Sequence, residues 1–174
     1  MNKDLKRRFG FSLTELMVAM AIFSILMLLV SMILRGGQEQ VQLAEIKMHL
    51  QESARESLYR MSLEIRETSP SRVTVTNGGS LLTFQIPATI SNTGVITWSN
   101  AITYQVGGNG TQLIRTDTGT GQTNVLANDI QNVTFTATGN PIQTIILGVT
   151  AQRAMISGRV LTETSTGEAR LRNA

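Results

Sequence analysis

The sequence predicts an α+β fold in which a long N-terminal helix, apolar in its first half, packs on a mostly antiparallel β-sheet. Three observations predict it. Residues 11–34 form an apolar block, residues 38–67 repeat an apolar position every three or four residues, and short β-type runs alternate with turn residues from Arg72 onward. A hydrophobic period near 3.6 marks a helix and a period of 2 marks a strand, so the chain changes material once along its length. Its 174 residues suffice for one domain of ordinary size plus an accessory element.

A net charge of +3 with a pI near 9.8 would suit a nucleic-acid partner if the basic residues lay on the folded domain. They do not. Residues 1–10 hold Lys3, Lys6, Arg7 and Arg8 against Asp4, and without that segment eleven basic residues face eleven acidic ones. No direct nucleic-acid contact is therefore expected. The absence of cysteine excludes disulfides, thiolate metal sites and cysteine nucleophiles.

The first element is the apolar helix. From Phe11 to Leu34 the only ionisable side chain is Glu15, and neither glycine nor proline interrupts the run. At about 1.5 Å per residue this stretch spans roughly 36 Å, enough for a bilayer core of about 30 Å with some tilt. A membrane-spanning segment over 11–35 is expected. The cluster Lys6, Arg7, Arg8 precedes it, so the positive-inside rule places the N-terminus in the cytoplasm and the chain after Arg35 outside. A secretory signal peptide would need a small-residue cleavage site beyond the apolar core, where Met32, Ile33, Leu34 and Arg35 stand instead.

The run Arg7-Arg8-Phe9-Gly10-Phe11-Ser12-Leu13-Thr14-Glu15 resembles the class III leader of type IV prepilins and type II secretion pseudopilins. That resemblance implies a pilin-like fold and a structural subunit, a minor pilin or pseudopilin, with no catalytic role and no cofactor. It also implies that residues 1–10 are a leader cleaved after Gly10, that Phe11 becomes an N-methylated terminus, and that Glu15 serves filament assembly. The implied partners are a prepilin peptidase and N-methyltransferase, other pilin or pseudopilin subunits, an inner-membrane assembly platform and membrane lipid. The implied location is the cytoplasmic membrane, then a type IV pilus or type II secretion pseudopilus. Chemistry bears on Glu15 independently: a carboxylate in an apolar membrane helix costs about 2.5–3.5 kcal/mol on insertion scales and persists where something offsets it. Cleavage at Gly10 would create an ammonium one turn away, at a helix end that is itself partly positive.

Arg35-Gly36-Gly37 marks the outer boundary of the span, after which residues 36–67 read as an amphipathic continuation of the same helix. Leu43, Ile46, Leu50, Ala54, Leu58, Met61 and Ile65 make one apolar face, and Gly36-Gly37 is the expected bending point. Thr68, Ser69 and Pro70 stop the helix.

Residues 68–174 read as a β-rich domain. Runs at 72–76 and 81–86 flank Asn77-Gly78-Gly79-Ser80 and predict a hairpin. Further strands are expected at 94–99, 101–106, 112–116, 130–138 and 143–150, with a final hairpin of 157–164 and 168–173 around Ser165-Thr166-Gly167. The layout resembles the larger minor pilins and the J-type minor pseudopilin. Two family features are missing: Met32 stands where many pilins have a helix-kinking proline, and a C-terminal disulfide cannot form.

Other chemistries find little support. His49 is the single histidine and has no second histidine or cysteine with which to form a dyad. Asp117 in Thr116-Asp117-Thr118-Gly119 reads as a turn, and no metal site is expected from Asp117 and Asp129. Gly107-Gly108-Asn109-Gly110 lacks the lysine and helix of a phosphate loop, and Trp98 and Tyr104 read as core. A ligand-binding or adhesive tip subunit is the alternative function, and a membrane-anchored enzyme a remote one.

Overall fold

The computed structural model describes residues 12–155 and 158–172. One helix, α1 (Leu13–Arg66), is followed by ten strands: β1 (Val73–Thr76), β2 (Leu81–Phe84), β3 (Pro87–Ile90), β4 (Ile96–Trp98), β5 (Ile102–Gly107), β6 (Gln112–Asp117), β7 (Thr123–Asn128), β8 (Ile130–Thr138), β9 (Thr144–Ala154) and β10 (Val160–Arg170). The chain divides into two compact units, Met1–Ala44 and Glu45–Ala174. In the first, the described residues are helical from Leu13 onward, and the helix is continuous through Gly36 and Gly37. Backbone hydrogen bonding alone holds these glycines in register, since a Cβ at either would meet nothing within 4 Å.

The second unit is built around the helix face that the periodicity picked out. Leu50, Ala54, Leu58, Met61 and Ile65 are buried, together with Leu82, Phe84, Ile102, Tyr104 and Leu113 from one sheet and Val133, Phe135, Ile145, Leu147, Val149 and Ala169 from another. The sheets are antiparallel throughout: five strands in the order β1-β2-β5-β6-β7, three in the order β10-β9-β8, and the two-stranded β3-β4. The expected single sheet is thus divided. The hairpin at 77–80 forms as expected, closed by a 3-10 turn over Asn77–Gly79. Gly79 adopts φ 95°, and a Cβ there would lie 2.9 Å from the Phe135 carbonyl oxygen, so only glycine lets this turn approach β8.

The expected C-terminal hairpin around Ser165-Thr166-Gly167 is not present. Val160–Arg170 is one strand paired over its whole length with β9, from Val160 opposite Ala154 to Arg170 opposite Thr144. Gly167 lies inside this strand opposite Leu147, against the Leu58 side chain of α1, where a Cβ would make ordinary contact at 3.5 Å. The reversal lies earlier, where the Met155 amide donates to Arg159 O and the Gly158 amide to Met155 O. Strands β3 and β7 are additions that the sequence reading lacks, and β9 runs four residues past the expected Thr150.

Polar contacts fix α1 to this domain. Its last turn tightens through Glu67 N–H to Glu64 O and Thr68 N–H to Ile65 O, and the Arg66 carbonyl receives the Arg172 amide at 3.0 Å. Buried Thr68 donates to Gln85 O at 2.6 Å. Arg115 Nε of β6 bridges both carboxylate oxygens of Glu64, at 2.9 and 3.2 Å. Lys47 meets Glu163 of β10 at 3.4 Å. Burial works against the Arg115 charge, but the hydrogen bond and charge of Glu64 outweigh it and hold the guanidinium above its ordinary pKa.

Tyr104 lies beside this pair, its ring 5.3 Å from that of Phe84. Its hydroxyl is buried and makes no hydrogen bond of acceptable geometry, although Glu64 and Arg115 are near enough to act on it electrostatically. Burial first, and the Glu64 charge second, push the phenol far above its ordinary 10.0. The unfolded phenol therefore loses its proton before the folded one does. The contribution of this group is complete below pH 10 and declines as pH rises beyond it.

Two outcomes are expected of the full chain in detergent, read by urea denaturation. Ile65→Ala should cost about 2–5 kcal/mol, whereas Leu63→Ala, on the exposed side of the same turn, should stay within about 0.5 kcal/mol. Tyr104→Phe should be neutral or slightly stabilising at pH 8 and should remove a loss of up to about 1.4 kcal/mol per pH unit above pH 10. Equal pH slopes in Tyr104→Phe and the parent would contradict the assignment of that loss to Tyr104.

Candidate functional site

The N-terminal helix is where sequence and chemistry converge. Gly10, Phe11 and the basic cluster Lys6, Arg7, Arg8 lie outside the described residues. Glu15 is described, and it occupies the third position of α1. Its carboxylate Oε2 accepts the Ser12 backbone N–H at 2.9 Å, while the Glu15 N–H donates to Ser12 Oγ at 3.2 Å. The Ser12 hydroxyl also lies 2.9 Å from Thr14 Oγ1. These reciprocal bonds form a capping box, which satisfies two amides that the start of any helix leaves without partners. The spacing Ser-x-x-Glu is the sequence signature of such a box, so Ser12 is legible in the sequence beside Glu15.

Between Glu15 and Arg35 the helix carries no charged side chain. From Leu13 to Leu34 its large apolar side chains are at least half exposed, from 50% at Val30 to 75% at Leu13. The polar side chains in this stretch bond within the helix: Ser24 Oγ donates to Met20 O and Ser31 Oγ to Leu28 O, each at 2.8 Å. Backbone and hydroxyls are thus satisfied internally, as a bilayer core requires. By length and composition α1 is able to cross a membrane.

The remaining candidates resolve into structural roles. Asp117 ends β6 and accepts the amides of Gly119 at 2.9 Å and Thr120 at 3.1 Å, the turn expected of it. The Thr120 amide first, with the Gly119 amide and the Asn100 side chain adding to it, holds its carboxyl below the ordinary value. Asp129 lies 3.7 Å from Arg153. No group of three potential metal ligands occurs among the described residues. His49 is exposed on α1. Gly107–Gly110 is the turn joining β5 to β6. Tyr104 is core, and Trp98 is half-buried under the Arg72 guanidinium, 5.5 Å from its ring centre.

Residues 5–31 match the family model described as the prokaryotic N-terminal methylation motif. The matched segment contains the basic cluster, Gly10, Phe11, Ser12, Glu15 and the apolar run as far as Ser31. No curated protein and no solved structure matches the chain. The motif together with the α+β layout is consistent with the type IV pilin and pseudopilin superfamily, and it marks structural pilin-type proteins rather than enzymes.

Proposed function

We propose that the chain is a minor pilin or pseudopilin, a structural subunit made as a precursor and assembled into a type IV pilus or a type II secretion pseudopilus. Residues 1–10 are its leader, residues 11–35 its membrane span, residues 36–67 the amphipathic continuation of the helix and residues 68–174 its outer domain. A prepilin peptidase cleaves after Gly10 and methylates the Phe11 amine. The chain then waits in the cytoplasmic membrane, N-terminus in the cytoplasm and β-domain outside, until an assembly platform passes it to the growing filament. There the Glu15 carboxylate pairs with the terminal ammonium of a neighbouring subunit.

The observation that carries this reading is a coincidence of position. The methylation motif at residues 5–31 ends in a helix whose apolar side chains are uncovered, and the single carboxylate of that stretch sits at its head. A bare apolar helix has two stable environments, the lipid core and a bundle of similar helices, and a subunit that moves from one to the other uses both. The carboxylate favours the second because an ammonium partner is available there.

Mass spectrometry of the chain recovered from cell membranes tests the reading. A mature form beginning at N-methyl-Phe11 is expected. A membrane-mature chain that retains residues 1–10 would contradict it.

A further inference from the structure

Asn77-Gly78 and Asn109-Gly110 are the two Asn-Gly pairs of the chain. Such pairs carry a chemistry of their own: the backbone nitrogen of the glycine, shielded by no side chain on that residue, can attack the side-chain amide carbon of the asparagine before it. The two sit alike in the fold. Each lies in a hairpin turn with the asparagine in the left-handed region, at φ 52° for Asn77 and 64° for Asn109, and the glycine after it also at positive φ. Hydrogen bonding separates them. The Gly110 N–H, whose proton must be lost for attack, is held by Gly107 O at 3.1 Å. The Gly78 N–H donates to no backbone carbonyl among the described residues. The carbonyl of the same peptide group, Asn77 O, accepts twice from Ser80, from its N–H at 3.3 Å and from its hydroxyl at 2.9 Å.

Attack begins when the glycine nitrogen gives its proton to solvent base, and the charge left behind is shared with the carbonyl oxygen of that peptide group. Two donors on Asn77 O meet this charge as it develops, in the manner of an oxyanion hole. We propose that the β1–β2 turn is a self-modification site, at which Ser80 promotes conversion of Asn77 to aspartate and isoaspartate while Asn109 is spared. The Gly78 nitrogen bonds to Asn77 Cγ, the Cγ–Nδ2 bond breaks, and ammonia leaves with a proton taken from water. Water then opens the succinimide: at Cγ it breaks the new bond and leaves aspartate, and at the backbone carbonyl carbon it breaks the original peptide bond and leaves isoaspartate. Asn77, Gly78 and Ser80 are exposed, so water reaches the reacting atoms. The consequence falls on the contact between the sheets. Isoaspartate adds a main-chain atom to a turn in which a Cβ on Gly79 would already lie 2.9 Å from the Phe135 carbonyl oxygen of β8. The new carboxylate also enters a run, from Val73 to Ile114, that has no Asp, Glu, Lys or Arg.

The full chain in detergent, incubated in mildly alkaline buffer, tests this by peptide mapping with mass spectrometry, which reads the mass gain of deamidation at each asparagine and separates isoaspartate from aspartate by elution. In the folded chain Asn77 should react at least about fivefold faster than Asn109, because a hydrogen bond to a charged acceptor exceeds one to a neutral acceptor by about that factor in rate. In urea the two should react at similar rates. Ser80→Ala should slow Asn77 about fivefold and leave Asn109 unchanged, and Ser80→Thr, which keeps a hydroxyl donor, should restore the parental rate. Asn109 also reports folding, since its rate rises to the urea value in a variant that unfolds, and the comparison of the two sites in the parent stands without any variant. Equal rates at the two sites in the folded parent would overturn the proposal. A difference that persists in urea would overturn it as well, because local sequence and not the folded turn would then set the rates. An unchanged Asn77 rate in folded Ser80→Ala would remove the role given to Ser80.

Discussion

One 54-residue helix, α1, carries two different surfaces. In the second unit the sheets bury its face between Leu50 and Ile65, and in the first the apolar side chains from Leu13 to Leu34 are exposed. Water cannot hold such a surface: each fully exposed leucine or isoleucine forgoes about 1.5–3 kcal/mol of burial. The rest of the molecule answers that mismatch. The N-terminal stretch satisfies its own hydroxyls and helix start so that it can live without water, and the C-terminal stretch presents an apolar stripe narrow enough for a β-domain to cover.

Within the β-domain the same economy holds without covalent help. The chain has no cysteine, so packing and hydrogen bonds alone hold the helix against the sheets. Two helix-to-strand ion pairs flank the stripe, Lys47 with Glu163 and Glu64 with Arg115, the first more exposed than the second. Exposed pairs contribute little, and half-buried ones mainly penalise misplacement, since either partner alone would strand a charge. They therefore set where the helix sits more than how strongly it is held. The helix's apolar stripe joins the buried core, and β9 and β10 pair over 11 residues.

The helix was the most legible part of the sequence because both halves carry long-range patterns. An unbroken apolar run and a repeat of seven apolar positions are hard to produce by chance. Thr68-Ser69-Pro70 announced the helix end within two residues of Arg66. Strands are shorter and their signals local, and there the reading failed in instructive ways. Ser165-Thr166-Gly167 has turn composition, but all three residues pair with β9, opposite Val149, Gly148 and Leu147, a tertiary demand with no local signature. β3 begins at Pro87 on the edge of a two-stranded sheet, and β7 is a polar edge strand with Val125 exposed, so neither shows the alternation of a half-buried strand. At the N-terminus Glu15 stood out as a charge in an apolar run. Ser12 carried neither charge nor hydrophobicity, and only its spacing to Glu15 gave it away.

The central claim is that the uncovered half of α1 passes from lipid to a bundle of like helices. A photoreactive residue in place of Ile22, which is 55% exposed in the single chain, tests it directly in living cells. The account predicts covalent adducts with other subunits bearing prepilin-type N-terminal helices, and their loss when assembly is blocked. Adducts with lipid alone, in cells that are actively building filaments or pseudopili, would contradict it.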